Sequence, residues 1–347
     1  MSVHNASPHS ELSWRVGFSH VAGIGPVRLA GLERDFGSLA QAWASPEPEL
    51  ARTLGPALAR IVTQTRARVD VDRVMERLAR NRITLLAPGM EHYPPLLRAI
   101  PAPPFLLYVQ GNPAVLARHA VAIVGTRNAS AFGCATARTL AARVAGAGGT
   151  VVSGMAVGID AAAHRGALDG GGPTVAVLGC GLFVDHPAAN RALRADVAAS
   201  GAVVSQFPPG ATAQPGNFPA RNRVVSGMSA CTVVVEAPPG SGALITARQA
   251  VQQRRSLLVV PGVLDSDAAR GCAVLEELGA SVVWSTADAL RRIGLHPPGD
   301  RLGPGGGQAV SQSERALLSE LGPLPRHVDE LGRAAHLPAR EVTRILS

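Results

Sequence analysis

Apolar residues change their spacing along the 347-residue chain, and each change marks a boundary. From residue 10 to about 85 they recur three and four apart with short breaks, the period of amphipathic helices, which predicts a small helical domain over 10–85. Within it "VAGIGPVRLAGL" (21–32) sets Gly23 and Gly25 around Ile24, with Pro26 in the first turn of the next helix. A turn of that kind can offer backbone amides to a phosphate, as in helix-hairpin-helix elements, or can simply pack two helices together. Residues 86–118 are dense in proline, as in "APGMEHYPPLLRAIPAPPFLLYVQGNP" (87–113), and read as an extended connector.

From 119 the pattern becomes short continuous apolar runs: "VAIVG" (121–125), "TVVSG" (150–154), "TVAVLG" (174–179), "AVVSQ" (202–206), "CTVVVE" (231–236), "SLLVVPG" (256–262) and "SVVW" (281–284). Helical patterns lie between them, at 131–146, 190–199, 241–254 and 286–293. Strands that are apolar on both faces and alternate with helices predict an α/β domain over 119–295 with a doubly wound, mostly parallel sheet. The glycine- and proline-rich stretch 296–311 has no apolar period and reads as a flexible linker. A module over 312–347 then gives three short helical patterns, "SERALLSELG", "RHVDELGRAAHL" and "PAREVTRILS", the form of a helix-turn-helix. No two-stranded wing pattern follows, so this module is expected to be incomplete.

Composition narrows the class. Hydrophobic residues make up 46% and charged residues 17%, as in a globular protein, and 33 basic against 25 acidic residues give a formal charge of +8. Such an excess favours a polyanionic partner through long-range attraction and counterion release. Every basic residue is arginine, so lysine-based chemistry is excluded. The four cysteines, Cys134, Cys180, Cys231 and Cys272, form no C-x-x-C pair, which indicates neither a zinc site nor a disulfide framework. No signal-peptide pattern opens the chain and no run of about 18 apolar residues occurs, so a cytoplasmic protein that makes no membrane contact is expected.

In open α/β sheets ligands bind beyond the carboxyl ends of the strands, where glycine turns meet helix N-termini. The first such turn is "GTRNASAFG" (125–133): Gly125 allows the turn, Thr126 and Ser130 offer hydroxyls, and Arg127 adds a guanidinium. The second is "SGMAVGIDAAAH" (153–164), with Ser153 and Gly154 at the turn and Asp160 and His164 four apart on one helix face. Neither turn spells G-x-G-x-x-G, which disfavours a dinucleotide, and no cofactor is expected. Without a serine or cysteine nucleophile beside them, Asp160 and His164 read as a cap and a structural hydrogen bond rather than an acid/base pair. Asp185 and His186 likewise stand outside any metal-ligand cluster.

The stretch "NFPARNRVVSG" (217–227) places Arg221 and Arg223 two apart, so on a helix they cannot face the same way. One can reach an anion while the other pairs internally, with Glu236 as the expected counter-charge. Phe218 can stack a base or sit in the core. Ser241, Gly242 and Thr246 open another helix whose amides suit a phosphate. Several anion-suited turns on one rim suit a polymer better than a single nucleotide.

The succession "GTRNASAFG", "SGMAVGIDAAAHRGAL", "TVAVLGCGLFVDHPAAN", "FPARNRVVSG", "SGALITARQA" and "VVPG" resembles the DprA/Smf family of bacterial DNA-processing proteins over nearly the whole chain. The resemblance implies a helical domain similar to sterile-alpha-motif folds, an extended Rossmann-like domain and a winged-helix-like module. It also implies single-stranded DNA binding, loading of the RecA recombinase onto that strand during natural transformation and recombination, and a homodimer formed through the Rossmann-like domain. Carried onto this sequence, the DNA-contacting set is Gly125, Thr126, Arg127, Ser130, Ser153, Gly154, Phe218, Arg221, Arg223, Ser241 and Gly242, with no catalytic residue. The chain departs from the family pattern in lacking a lysine in "ATAQPGNFP", and in Gln206, His186 and Ala273, where glutamate, tyrosine and asparagine are usual.

Two other classes stand beside this reading. A nucleotide phosphoribohydrolase of the lysine decarboxylase-like type shares the broad fold, but its P-G-G-x-G-T order with a following glutamate is missing around "PPGSG". Sequence-specific duplex reading by the last helices is disfavoured because "PAREVTRILS" offers few residues to reach bases.

Overall fold

The computed structural model describes residues 10–262, 266–296, 313, 316, 317, 328–338 and 340–342. Its first unit ends at Pro297 and a second begins at Pro298.

Six helices open the first unit: α1 (Glu11–Ser19), α2 (Pro26–Phe36), α3 (Leu39–Ala44), α4 (Glu47–Leu54), α5 (Pro56–Arg66) and α6 (Val71–Arg80). Local chemistry sets their ends. Gly25 caps α2 with Pro26 at its first position, the Ser38 side chain accepts from Gln41 N, and Asp70 accepts from Arg73 N at 3.0 Å. Gly23, at φ 90°, makes the turn before α2. Phe18, Leu29, Leu32, Leu39 and Leu50 are completely or almost completely buried in one cluster, and the Phe18 ring meets Trp43 edge-on at 4.9 Å. Each such side chain contributes about 1.5–3 kcal/mol.

This helical part is docked on the sheet. Val16 of α1 and Leu78 of α6 share a cluster with Tyr108, Ala176 and Val203, and Ser19 Oγ lies 2.7 Å from the Tyr108 hydroxyl.

The sheet holds β1 (Ile83–Leu86), β2 (Leu107–Gly111), β3 (Ala120–Gly125), β4 (Thr150–Ser153), β5 (Thr174–Val177), β6 (Ala202–Ser205), β7 (Cys231–Val235), β8 (Ser256–Val260) and β9 (Ser281–Val282). Their spatial order among the described residues is β1-β2-β6-β5-β4-β3-β7-β8-β9. Pairing from β6 to β9 is parallel, while β2 joins β6 and β1 joins β2 in the antiparallel sense. All seven runs expected as strands are strands, and the domain is the α/β, Rossmann-like fold anticipated from them.

Two strands, the edge strand β1 and its neighbour β2, were not anticipated. "ITLL" closes the stretch read as helical, and the proline-rich connector contributes both a short helix, α7 (Pro95–Arg98), and β2. Leu107, Tyr108 and Val109 are completely buried, so the apolar run after the prolines enters the sheet, while Pro101, Pro103 and Pro104 stay ahead of it and remove no ladder donor.

Helices cover both faces: α8 (Ala131–Gly146), α9 (Ile159–Asp169), α10 (Arg191–Ser200), α11 (Asn217–Met228), α12 (Gly242–Gln252), α13 (Asp267–Glu277) and α14 (Thr286–Ile293). Alternation along each strand divides the core. Val121 and Ile123 of β3 pack with Leu140 and Val144 of α8, whereas Ala122 and Val124 pack with Val224 of α11 and Leu244 of α12. Both faces of β3 are therefore apolar, as the continuous runs required.

In the second unit a helix spans Val328–Ala334, and Leu317, Leu331, Ala335 and Val342 form a small cluster. The expected linker falls, but for His296, outside the described residues, as does most of the expected first helix and the end of the third.

Candidate nucleic-acid interface

The chain reverses its direction of growth across the sheet between β3 and β7, since β4, β5 and β6 follow on one side of β3 while β7, β8 and β9 lie on the other. Loops leaving the two sides diverge there and open a crevice at the carboxyl ends of the strands. A cavity of about 410 Å3 fills it. Its walls are the turn after β3, the turn after β4, one side of α11, and the first turn of α12. Glycine at two of these turns is required by close approach: a Cβ on Gly125 would strike the Val235 carbonyl oxygen, and a Cβ on Gly154 would strike the Arg221 guanidinium.

Eight of the residues read from sequence line this cavity together: Gly125, Thr126, Arg127, Gly154, Phe218, Arg221, Ser241 and Gly242. Arg127 is exposed, stands over the Phe218 ring at 5.2 Å from its centroid, and has no ion-pair partner among the described residues. Phe218 is half-buried and also carries His186 at 5.8 Å, so the ring forms a wall between the main cavity and a smaller one of about 140 Å3 that His186 lines. At α12, Ser241 caps the helix by accepting from Ala243 N, leaving the positive end of the helix on the cavity.

Arg221 is a different kind of arginine. Only 5% of it is exposed. Its Nη1 donates to the carbonyl oxygens of Gly154 and, at 2.8 Å, Val177, and its Nε donates to Asn222 Oδ1 at 2.9 Å. The guanidinium thus ties α11 to the ends of β4 and β5, while Nη2 has no hydrogen bond among the described residues. Burial pulls its pKa below the usual guanidinium value, and the nearby Asp160 charge opposes that shift. Asp160 is itself pushed up by burial, with Arg221 pulling it back. No ion pair joins the two within the described residues, so Asp160 compensates the charge at a distance.

Three residues of the expected set lie elsewhere. Ser153 is completely buried and its hydroxyl donates to the Ile123 carbonyl at 2.7 Å. Arg223 donates to the carbonyls of Pro101 and Ala102 at 2.6 and 2.7 Å, fastening α11 to the proline-rich segment. Ser130 caps α8 by accepting from Gly133 N, and it donates both its backbone N–H, at 2.8 Å, and its hydroxyl to Glu236. Glu236 is therefore not the counter-charge of either arginine. It sits at the amino end of α8, where a carboxylate is favoured by the helix dipole and by the unpaired amides.

His164 makes the structural hydrogen bond expected of it. The Thr174 hydroxyl donates to the Val151 carbonyl at 2.9 Å, so it must accept from His164 Nδ1 at 2.7 Å, and the ring carries its proton on Nδ1. Complete burial drives its pKa down to about 3, with the Arg221 charge as a second cause. Asp160 does not cap α9: Gly158 does, and Asp160 accepts from Ala156 N at 3.3 Å. Asp185 pairs with Arg191 at 2.6 Å. No group of three metal-ligating side chains comes together among the described residues.

Sequence reasoning missed Asn128, Asn222 and Ile245 as cavity residues. Asn222 carries a signal in the sequence, since it must lie one step from Arg221 on α11. It orients the guanidinium and donates to the Gly242 carbonyl at 3.3 Å.

Comparison with known proteins decides the family. The profile of DNA recombination-mediator protein A matches residues 84–294, and that of the DprA winged helix domain matches 304–347. The chain belongs to the DprA/Smf family. Among its relatives, protein Smf of Synechocystis is 36% identical over 311 residues, covering 84% of this chain and 78% of that protein. DNA processing protein DprA of Streptococcus pneumoniae is 38% identical over 200 residues, covering 57% and 70%. The X-ray structure of DprA from Streptococcus pneumoniae superposes with a TM-score of 0.71 at 28% identity, covering 80% of this chain and 97% of that one. DNA processing protein A from Helicobacter pylori, whose structure was solved for its single-stranded DNA binding mode, gives 0.56 at 28% identity and covers 62% and 98%.

Proposed function

We propose that the crevice between β3 and β7 holds the sugar–phosphate backbone of an unpaired DNA strand. The protein is a single-stranded DNA-binding member of the DprA/Smf family that loads RecA recombinase onto the strand, in recombination and in the uptake of DNA by transformation; it is a binding protein and not an enzyme. The observation that carries the assignment of the crevice is Arg127: a guanidinium with no ion-pair partner among the described residues, held over an aromatic ring at the mouth of a cavity floored by a helix N-terminus. Phosphate oxygens suit the guanidinium fork and the α12 amides, and Phe218 suits the face of a base.

Each remaining part has a role in this reading. Arg221 supports the floor and adds charge from behind it, Asn222 orients Arg221, and Gly125 and Gly154 let the end of β7 and the Arg221 guanidinium pack closely against the two turns. The protein acts as a homodimer in the cytoplasm, so that two crevices engage one strand or two. Among the described residues no helix is long and apolar enough to cross a membrane.

Binding of labelled oligo-dT and of its duplex, each at two salt concentrations, tests the proposal. Tighter binding of the single strand, with affinity falling as salt rises, is expected, because each neutralised phosphate releases condensed counterions. Equal affinity for duplex and single strand overturns it. Release of free base from nucleoside monophosphates would instead support the phosphoribohydrolase class.

A further inference from the structure

A second groove, of about 360 Å3, lies on the same rim of the sheet at the carboxyl ends of β8 and β9. Its walls are two aromatic side chains that a folded protein would ordinarily cover, Trp284 at 78% exposure and Phe132 at 54%. Leu140, Val260 and Pro261 form an apolar floor, while Thr136, Thr139, Ser285 and Thr286 bring hydroxyls to it and no charged side chain lines it. The groove plays no part in the crevice at Arg127.

We propose that this groove is a nucleobase subsite, in which Trp284 and Phe132 stack the bases of a single strand whose backbone has left the crevice at Arg127. The inference rests on the reading of that crevice. Continuity of the two sites supports it. Phe132 stands five residues after Arg127, in the first turn of α8, so one short stretch of chain borders both. Across the sheet Gly125 is paired with Val235, Val235 with Val260, and Val283 N donates to the Val259 carbonyl, so the strand ends beside both sites form one rim; the crevice opens on its α11–α12 face and the groove on its α8–α14 face, with the loop of Arg127 leading from one to the other.

The chemistry of the lining selects bases over phosphates. No cationic side chain lines the groove, and the two exposed aromatic faces can stack any base while the hydroxyls can donate to or accept from base edges. A second copy of the chain fits less well. Stable dimers bury about 1,200–2,000 Å2, and of the large apolar side chains exposed in the described residues only Phe132 and Trp284 line this groove.

The test compares oligo-dT of about four nucleotides, enough for the crevice, with one of about sixteen, long enough to reach the groove. Trp284→Ala is expected to weaken the longer strand about five- to 150-fold, the effect of losing one stacked base, and to leave the shorter one unchanged. Trp284→Phe should restore most of the affinity, and the tryptophan quenching that accompanies binding of the longer strand to the wild-type protein should be lost in that variant. Phe132→Ala should repeat the length-dependent loss. Wild-type affinity for both strands in Trp284→Ala overturns the inference, and a change from dimer to monomer at unchanged affinity assigns the groove to a second copy. Short-strand binding that Arg127→Ala abolishes while Trp284→Ala affects neither length sinks this inference alone; failure of the wild-type protein to bind any strand sinks the crevice reading with it.

Discussion

Ser130 and Glu236, 106 residues apart, are joined twice, the carboxylate accepting both the backbone N–H and the hydroxyl of the serine. Glu236 also takes the Thr126 N–H on its carbonyl at 2.8 Å, and its own backbone is held at φ 52°, a left-handed conformation that few side chains adopt without support. The end of β7 thus grips both ends of the loop that carries Arg127. The same contacts fill the amino end of α8, so a phosphate in the crevice meets α12 and Arg127 instead.

Glu236→Ala should therefore weaken single-strand binding although it removes a negative charge from the rim. The loop that presents Arg127 loses its anchor, and Arg127→Ala added to it should cost less than it does alone, the sign of two residues acting through one element. Oligo-dT titrations of the two single variants and the double variant measure this coupling. Tighter binding by Glu236→Ala would mean that the carboxylate merely repels the strand.

Arg127 and Arg221 should separate function from stability. Arg127→Ala removes an exposed side chain, so its stability should match wild type within about 0.5 kcal/mol in denaturant unfolding. Its affinity for oligo-dT should fall, with the slope of log affinity against log salt becoming shallower by about 0.7 for each phosphate that is no longer neutralised.

Arg221→Met should do the reverse first. It leaves the Gly154 and Val177 carbonyls without their donor, and a buried unpaired carbonyl costs about 1–3 kcal/mol, so denaturant unfolding should show a loss of at least that size. Arg221→Lys should restore little, because one ammonium cannot reproduce a planar fork that bonds Asn222 as well as two carbonyls. A variant as stable as wild type would place the guanidinium outside the framework.

Much of this arrangement is legible in the sequence. Strands β3 to β9 announce themselves because both faces of the sheet are covered, which makes each strand a continuous apolar run, and the helical pattern over 131–146 coincides with α8. Spacing alone also shows that Arg221 and Arg223 diverge. Which of them enters the crevice is not legible, for it depends on the segment around Pro101 that receives Arg223. Ser153 misleads for a similar reason: both faces of β4 are covered, so its hydroxyl is buried whichever way it points and it turns to the Ile123 carbonyl of the neighbouring strand. Glu236 resembles a counter-charge in the sequence because two arginines stand nearby in the chain, whereas the crossover brings Ser130 closer. Strands β1 and β2 escape because a helical period leads into the first and prolines surround the second.

Acid should expose the neutral state of His164. Its folded pKa is near 3 against an ordinary 6.5, so the unfolded chain binds the extra proton between those values. The stability it contributes is complete above about pH 6.5 and is lost as pH falls toward 3. Asp160, raised by burial, works in the opposite sense, favouring the fold when protonated. His164→Asn should flatten the acid side of the stability curve relative to wild type, measured by denaturant unfolding at a series of pH values. An unchanged slope between about pH 6.5 and 4 would show that the ring titrates normally.

The structure of the protein with a short oligo-dT bound tests the crevice most directly. A phosphate within hydrogen-bond distance of Arg127 and the first turn of α12, with a base against Phe218, is the predicted result. A strand lying along another surface, with the cavity between β3 and β7 empty, would contradict it.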